Sequence, residues 1–275
     1  MCQLMKVTRS GYYYYKNHKD NLKTKEEPLK KLIKELFFKS RSTYGIRRIK
    51  KALAKLHNTK ADRDKIARIM KEENLIPKTI KKYKATTNSK HNLPIHPNLI
   101  KALKINNPNQ VWVSDITYVK TEEGWLYLAA VMDLYTKEIV GYAMSERITK
   151  ELVMGALLMA KWKMNPGDGV ILHSDRGVQY ASHAYQELLT ANKMFCSMSK
   201  KGDPYENAAM ESFNATIKKE LIYPHGTYQT RKEARKEIFE YIELFYNKER
   251  LHSSIDYEVP YQFRLSQLKL KQVVA

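Results

Sequence analysis

The sequence is poor in cysteine, lacks long apolar runs and has few acidic residues in its first two-fifths. Its 2 cysteines, Cys2 and Cys196, cannot form a disulfide framework, and no Cys-x-x-Cys pair offers a structural zinc site. No apolar stretch approaches the roughly 20 residues of a membrane span, and no apolar segment with a cleavage site begins the chain. These absences exclude disulfide-rich secreted domains and membrane proteins, so we expect a cytoplasmic protein with no membrane partner.

The positive charge is confined to one part of the chain. The 275 residues carry 49 Lys and Arg against 29 Asp and Glu, a net charge of +20. Residues 1–107 contain 28 Lys and Arg and 8 Asp and Glu, which leaves +20, whereas residues 108–275 contain 21 of each, which leaves 0. Because the whole excess lies before residue 108, we expect this part to bind a polyanion such as a nucleic acid.

Residues 27–77 carry the apolar spacing of three short amphipathic helices with basic outer faces. We predict the helices over residues 27–39, 46–56 and 62–74. Three such helices with tight turns are typical of a helix-turn-helix module whose last helix enters the major groove of DNA. A solvated basic helical hairpin is the alternative. The basic side chains predicted to contact DNA are Arg47, Arg48, Lys50, Arg63, Lys65 and Arg68.

Two segments of different amino-acid composition flank this module. Residues 1–26 contain four consecutive tyrosines, which predict an N-terminal tail with a turn at residues 8–11 and then an aromatic anchor. Residues 78–107 are rich in lysine and proline with little periodicity. They predict a basic linker that lies along DNA phosphates and uses Lys82 and Lys84.

Residues 108–223 have the pattern of an α/β domain. Three β-branched and aromatic segments, at 111–119, 125–134 and 138–144, predict an antiparallel meander. A helix at 150–164, a strand at 170–172, a helix at 182–191 and a strand at 194–198 follow. This order predicts a mixed five-stranded sheet flanked by helices. Residues 224–275 predict a helical extension whose main helix covers residues 231–251.

Two aspartates are placed where such a sheet would bring them together. Asp115 lies in the middle of the first predicted strand, where an isolated charge is costly, and Asp175 follows the fourth strand. On adjacent strands, two carboxylates repel each other unless a divalent cation lies between them. We expect His173 to pack or to orient Asp175 rather than to bind metal. Asp133 precedes a tight turn, and an Asx turn explains it more simply.

A third carboxylate belongs to a predicted amphipathic helix. Glu211, Asn214 and Lys218 are spaced i, i+3 and i+7, so they share one helix face that can project towards the two aspartates. Three carboxylates of this kind can hold two Mg²⁺ ions for in-line phosphoryl transfer. Lys218 would then hold a DNA phosphate or a terminal base. Each of these residues alone supports a catalytic metal site only weakly. The prediction rests on their combination.

These residues resemble those of the DDE transposases and retroviral integrases. More narrowly, the chain resembles the second-frame (OrfB-type) transposases of the bacterial insertion-sequence family numbered three. The matching stretches are residues 43–49, 112–118, 173–180, 202–208 leading to Glu211, and 246–260. Between Asp175 and Glu211 lie 35 residues, the spacing for which the group is named.

The resemblance implies a ribonuclease-H-like catalytic core at residues 108–223. In it, Asp115, Asp175 and Glu211 would be the catalytic and metal-binding triad, and Lys218 the basic residue that follows. We expect His173, Asn207 and Asn214 to support them. The reaction implied is DNA strand cleavage and 3′-OH strand transfer at element ends, with two Mg²⁺ ions and with Mn²⁺ able to substitute.

The resemblance also implies partners. These are double-stranded DNA at the inverted-repeat ends and the target, further copies of the chain on that DNA, and the upstream-frame product or a frameshift fusion with it. The protein would associate with the nucleoid when bound to DNA. Two alternatives stay open: a structure-selective nuclease on the same fold, which uses only water as nucleophile, and a DNA-binding regulator with an inactive core.

Overall fold

Three helices form the first of the two units into which the chain divides, Met1–Pro77 and Lys78–Ala275. The computed structural model describes residues 7–78, 96–199 and 207–274. The helices are α1 (Arg9–Lys39), α2 (Ile46–His57) and α3 (Arg63–Glu72), and each contacts the other two. Their fully buried side chains include Ile33, Ile49, Leu53, Ile66 and Ile69. The predicted apolar spacing therefore forms the core of this unit.

α1 is much longer than the helix predicted at residues 27–39. The turn predicted at residues 8–11 is instead the start of α1, where Thr8 is the N-cap and its Oγ1 accepts a 3.1 Å hydrogen bond from the Gly11 amide. The tyrosines continue the helix because aromatic residues lower helix propensity only slightly. The prediction of an aromatic anchor is wrong, because the side chains of Tyr12, Tyr13 and Tyr14 are exposed.

The second unit is built on a five-stranded sheet of order β3-β2-β1-β4-β5. Its strands are β1 (Val111–Thr121), β2 (Gly124–Asp133), β3 (Ile139–Ser145), β4 (Ile171–Ser174) and β5 (Phe195–Met198). The first three are antiparallel, whereas β4 runs parallel to β1 and β5 parallel to β4. This confirms the predicted mixed α/β sheet, and its order is that of a ribonuclease-H-like fold.

Helices cover both faces of this sheet. The helices of this unit are α4 (Lys150–Met164), α5 (Val178–Ala181), α6 (His183–Ala191), α7 (Ala208–Ile217), α8 (Tyr223–His225), α9 (Arg231–Glu240) and α10 (Pro260–Val274). Trp112 packs in one core cluster with α4, α5 and α6, and its neighbours Val111 and Val113 pack in the other with α7 and α9. Burial on both faces explains the nearly continuous apolar sequence of the strands.

α4 lies unusually close to β3. A Cβ added at Gly141 would collide with the carbonyl oxygen of Ala156. The bounds of α4 agree with the sequence prediction, with Thr149 at the N-cap and Asn165 in the left-handed conformation at the C-cap.

The single α-helix predicted over residues 231–251 is wrong in its second half. α9 ends at Glu240 and continues as a π-helix, Tyr241–Tyr246, and a second π-helix, Lys218–Ile222, follows α7. The two π-helices are linked, because the Tyr241 hydroxyl donates a 2.7 Å hydrogen bond to Glu220. The apolar spacing of a sequence does not reveal such a widened turn, since it depends on a contact between distant residues.

Part of the predicted basic linker packs against the sheet. Residues 96–107 form no regular helix or strand, yet the Leu99 amide donates a 2.9 Å hydrogen bond to the Ser197 hydroxyl on β5, and Ile100, Leu103 and Ile105 pack on the core. Lys82 and Lys84 lie outside the described residues. None of the helices in the described ranges is long and apolar enough to span a membrane.

Candidate active site

Asp115 and Asp175 lie at the same edge of the sheet. β4 pairs with β1 only at residues 111–113, so Asp115 follows directly after this pairing ends. Asp175 follows the last residue of β4. Parallel strands present their carboxyl ends at one edge, which is where α/β sheets place ligand sites. The prediction that the first and fourth strands are neighbours is confirmed.

Asp115 has an unfavourable environment for its negative charge. Burial raises the pKa of Asp115 to about 7, and the negative charges of Asp175 and Glu211 add to this effect. Hydrogen bonds from the Ile116 backbone and the Asn214 side chain oppose it. Asp175 and Glu211 therefore both lie within electrostatic range of Asp115, although the three carboxylates come from separate elements of the fold.

The loop after β4 holds Asp175 through short contacts. Its Oδ1 accepts a 2.9 Å hydrogen bond from the Gly177 amide, and a Cβ at Gly177 would approach the same oxygen to 3.0 Å. The Arg176 Nε donates a 2.8 Å hydrogen bond to the Ser199 carbonyl. These bonds tie the segment after β4 to the segment after β5 and restrict where the Asp175 carboxylate can move.

α7 brings the third carboxylate to this edge. Met210, Phe213 and Ile217 are buried against the sheet, which turns the neighbouring helix face towards β1. Glu211 is exposed in the first turn of α7, and Asn214 Nδ2 donates a 2.8 Å hydrogen bond to Asp115 Oδ2. The predicted common face of the helix therefore does project towards the aspartates. Asn207 is the N-cap of α7.

Asn207 makes a second connection to β1. Its Nδ2 donates to the carbonyl of Ser114 at 3.4 Å, next to Asp115. The amide oxygens of Asn207 and Asn214 are buried and find no hydrogen-bond partner within the parts of the chain described. Both amides thus line the carboxylate edge and leave acceptor atoms there.

Lys218 completes the predicted helix face with an unforeseen contact. Its Nζ lies 4.5 Å from the centre of the Tyr118 ring. Burial lowers the pKa of Lys218, and the negative charge of Asp115 opposes this shift. The sequence places Tyr118 three residues after Asp115. Its pattern does not show that this tyrosine contacts a lysine one hundred positions later.

The sequence pattern also did not predict a buried pair of hydroxyl groups next to Asp115. The Ser114 hydroxyl donates a 3.0 Å hydrogen bond to the Ala130 carbonyl and lies 3.0 Å from the hydroxyl of Tyr180, which is fully buried. His173, by contrast, lies inside the sheet, with its Nδ1 2.8 Å from the Ser197 hydroxyl. This contact favours a packing role for His173.

The Asx turn expected at Asp133 is confirmed. Its Oδ1 accepts hydrogen bonds of 3.0 Å from the Tyr135 amide and 2.8 Å from the Thr136 amide. Its Oδ2 accepts one of 2.6 Å from the Asn109 amide. Asp133 therefore serves the structure of the β2–β3 turn.

The basic residues of the first unit fall into two groups. On α3, Arg68 and Lys65 both pair with Glu26 of α1, at 2.8 Å and 3.3 Å. On α2, Arg47 and Lys50 are exposed and form no ion pair with any residue that the structure describes. Arg63 is exposed at the start of α3, and Arg48 lies 5.7 Å from the Tyr44 ring.

The carboxylate edge suits a hard divalent cation. The described residues contain no group of three or more His, Cys, Asp or Glu side chains already arranged to hold a metal ion. The donor chemistry nevertheless fits Mg²⁺, because carboxylate oxygens are its preferred ligands. The raised pKa of Asp115 has the same implication, since a cation among the three carboxylates would offset their repulsion.

Comparison with known proteins gives a consistent result. Sequence profiles of the "Integrase core domain" match residues 105–204 and 192–260, and a profile of the "HTH-like domain" matches residues 24–83. The chain is 47% identical over 266 residues to the 31 kDa protein of insertion element IS600 from Shigella sonnei, covering 96% of this chain and 97% of that protein. It is 36% identical over 271 residues to transposase InsF of insertion sequence IS3A from Escherichia coli, covering 96% and 92%.

Among solved structures, the chain is similar to one from the simian T-cell lymphotropic virus intasome in complex with a PP2A regulatory subunit. The TM-score is 0.49 and the identity 18%, with 78% of this chain and 69% of that chain covered. The matching integrase-core family is metal-dependent. Together, the integrase-core and helix-turn-helix-like matches imply that the chain binds DNA.

Proposed function

This chain belongs to the IS3 family of insertion-sequence transposases, and from that membership we propose that Asp115, Asp175 and Glu211 are its catalytic residues. The observation that carries the proposal is the electrostatic coupling of the three carboxylates at one sheet edge. The negative charges of Asp175 and Glu211 add to burial in raising the pKa of Asp115, and carboxylates that oppose one another's charge in this way indicate a site built to receive positive charge.

The proposed chemistry consists of two displacements at phosphorus. In the first, a water oxygen attacks the phosphate at an element end, the P–O3′ bond breaks, and the water proton leaves to solvent while the strand gains a free 3′-OH. In the second, that 3′-OH oxygen attacks a target phosphodiester, whose own P–O3′ bond breaks. One P–O bond forms and one breaks in each step, so no external energy source is needed.

Asp115, Asp175 and Glu211 would hold the metal. When bound there, Mg²⁺ supplies activation of the attacking oxygen and charge stabilisation of the leaving oxygen. We propose two ions, with Mn²⁺ able to replace Mg²⁺, because three carboxylates provide ligands for both. Asn214 orients Asp115 through its 2.8 Å hydrogen bond, and Lys218 contributes a cation beside the site that can hold a DNA phosphate.

We propose that α2 supplies the main DNA contacts of the first unit. Two basic side chains in the first turn of a helix are unfavourable for the helix dipole, and the first turn of α2 contains no acidic residue. Such a placement indicates that these basic side chains serve ligand binding at the expense of helix stability. Lys65 and Arg68 of α3 are already paired with Glu26, which lowers their capacity to bind phosphates. This changes the expectation that the last helix of the module makes the main contacts with DNA.

The remaining proposals concern assembly. Strand transfer at two element ends requires two active sites, so we propose that several copies act together on DNA. We also propose that the chain works with an upstream-frame product or as a frameshift fusion with it, in the cytoplasm and on nucleoid DNA. Inverted repeats and an overlapping upstream frame in the flanking DNA would identify that substrate and partner.

Substitution of the triad tests the proposal. Asp115→Asn, Asp175→Asn and Glu211→Gln should each abolish Mg²⁺-dependent cleavage and joining while DNA binding is retained. Asp168→Asn is the matched control, because Asp168 is exposed and pairs only with the surface residue Lys193. Triad variants that keep wild-type cleavage and joining would contradict the assignment. Loss in the control as well would show that the assay reports general damage.

A further inference from the structure

An aromatic pair, the half-buried Tyr118 and the exposed Trp125, lies on the hairpin of β1 and β2. The rings of Tyr118 and Trp125 meet edge to face, with centroids 5.2 Å apart and planes at 87°. They are diagonal neighbours, since Tyr118 pairs with Tyr127 and Lys120 with Trp125 across the two strands. Trp125 stays 46% exposed. A large aromatic ring is therefore open to a ligand on a part of the sheet that extends from the active-site edge.

The backbone beneath Trp125 is firmly held. The Arg231 Nε donates a 3.3 Å hydrogen bond to the Trp125 carbonyl, and the Arg231 amide donates one of 2.8 Å to Glu123. Gly124, with φ at 110°, allows the tight turn, and its carbonyl accepts a 2.7 Å hydrogen bond from Thr121. A fixed ring loses little freedom when a ligand stacks on it.

Positive charge flanks the aromatic pair. Lys218 lies over the Tyr118 ring at 4.5 Å and also interacts electrostatically with Asp115. Lys120, which is directly opposite Trp125 in the register, is exposed and has no ion-pair partner among the residues described. The ligand of this surface should therefore combine a flat apolar face with negative charge.

The distance between the aromatic pair and the carboxylates further restricts which ligand can bind there. Along β1, Tyr118 is three residues from Asp115, or about 10 Å, and the position opposite Trp125 is five residues away, or about 17 Å. Side chains alternate along a strand, so Tyr118 and Asp115 point to opposite faces, and Lys218, which contacts the Tyr118 ring and interacts electrostatically with Asp115, connects them at the margin of β1. A DNA strand that places a phosphate at Asp115 can pass Lys218 to reach the aromatic pair. Inside a duplex, the faces of each base are covered by its neighbours, so an unpaired base offers a more accessible face for stacking.

We propose that Trp125, supported by Tyr118 and Lys218, stacks on an unpaired nucleobase of the DNA strand whose phosphate lies at Asp115. The proposal rests on the proposed function, because it takes DNA at the three carboxylates as the substrate. Stacking of this kind is tolerant of base identity, since every base has a π face. The surface would hold the strand end apart from its complement during both displacements.

The test compares two single strands that differ only in their bases. Full-length protein in EDTA is titrated with a labelled 15-nucleotide oligothymidylate and with an abasic strand of the same length, and binding is followed by fluorescence anisotropy. The wild type should bind the base-containing strand about 5- to 150-fold more tightly. Trp125→Ala should lose most of this preference, and Trp125→Phe should retain part of it.

Trp162 provides the matched control. It lies on α4 and is 86% exposed, so Trp162→Ala removes an equally large ring from another surface and should leave the base preference unchanged. The proposal is overturned if Trp125→Ala keeps the full preference or if both alanine variants lose it equally. The first outcome would mean that the pair only stabilises the hairpin or faces a protein partner.

A second measurement avoids the risk that Trp125→Ala unfolds the protein. Trp162→Phe keeps two tryptophans, the exposed Trp125 and the fully buried Trp112. The emission of Trp125 should be quenched by oligothymidylate and not by the abasic strand, whereas that of Trp112 should stay constant. Equal quenching by both strands, or none during binding, would overturn the proposal. Failure of the proposed function is separately visible, because the triad variants Asp115→Asn and Glu211→Gln should keep the base preference whether or not they retain joining.

Discussion

The side-chain amide of Asn214 donates a 2.8 Å hydrogen bond to Oδ2 of Asp115. This bond links α7, which carries Glu211, to β1, and it fixes the direction of the Asp115 carboxylate. A residue that orients a metal-binding carboxylate acts on affinity for the metal and, through it, on rate. If Asp115 binds metal as proposed, Asn214 is a positioning residue in this site.

Asn214→Ala should lower strand joining by about 10- to 100-fold and raise the Mg²⁺ concentration needed for half-maximal activity. DNA affinity should stay unchanged, because the residue does not carry charge. The measurement is a Mg²⁺ titration of joining, with Asn192→Ala as control, since the Asn192 side chain bonds only within α6 and its C-cap. An unchanged Mg²⁺ requirement would refute the positioning role.

The raised pKa of Asp115 makes the stability of the metal-free protein depend on pH. The folded state holds the proton up to about pH 7, whereas the unfolded carboxyl releases it near 3.8. Stability from this group is therefore present at low pH and is lost as pH rises through this interval. In EDTA, Asp115→Asn should melt at a higher temperature than the wild type at pH 8, and the difference should shrink towards pH 5. A difference that does not vary with pH would contradict the coupling.

The buried ion pair of Glu220 and Arg250 should be a major stabilising contact. Arg250 donates two hydrogen bonds to the Glu220 carboxylate, at 2.8 Å and 2.7 Å, and both side chains are almost fully buried. Arg250→Ala would remove the guanidinium from the buried Glu220 carboxylate, which would keep the hydrogen bond from Tyr241, and should cost about 3 to 5 kcal/mol. In contrast, Lys193→Ala removes a solvent-screened surface pair with Asp168 and should change the stability little. Denaturant melts compare the two, and equal losses would count against the buried pair.

The two faces of the first unit can be separated by paired substitutions. Arg47→Ala with Lys50→Ala on α2 should weaken DNA binding and reduce the slope of log K against log salt by about 0.9 for each DNA phosphate that the variant no longer neutralises. Lys65→Ala with Arg68→Ala on α3 should change that slope much less, because both side chains already pair with Glu26. A larger change in slope from the α3 substitutions than from the α2 substitutions would assign the DNA contact to α3.

The sequence allowed prediction of the parts of the fold that have strong local signals. β1 has a continuous β-branched and aromatic run that includes Asp115, and α4 has Thr149 before it and Pro166 after it. The adjacency of Asp115 and Asp175 followed from the strand order, because two parallel strands end at the same edge. These features depend on periodicity and end signals, which neighbouring residues determine.

The features that escaped prediction depend on residues far apart in sequence. The π-helices meet through Glu220 and Tyr241, and the support beneath Asp115 comes from Tyr180. Lys218 could be placed on the helix face of Glu211, whereas its contact with Tyr118 could not. Such pairs form only when the tertiary structure brings them together, and local propensity does not encode them.

The central claim is that the three carboxylates direct a 3′-OH oxygen at DNA. Its most direct test supplies a pre-cut element end with a 3′-OH, or with a 3′-hydrogen, together with target DNA and Mg²⁺. The wild type should give joined product only with the 3′-OH end, and Glu211→Gln should give none with either end. Cleavage without any joined product, or joining by Glu211→Gln at the wild-type level, would contradict the claim.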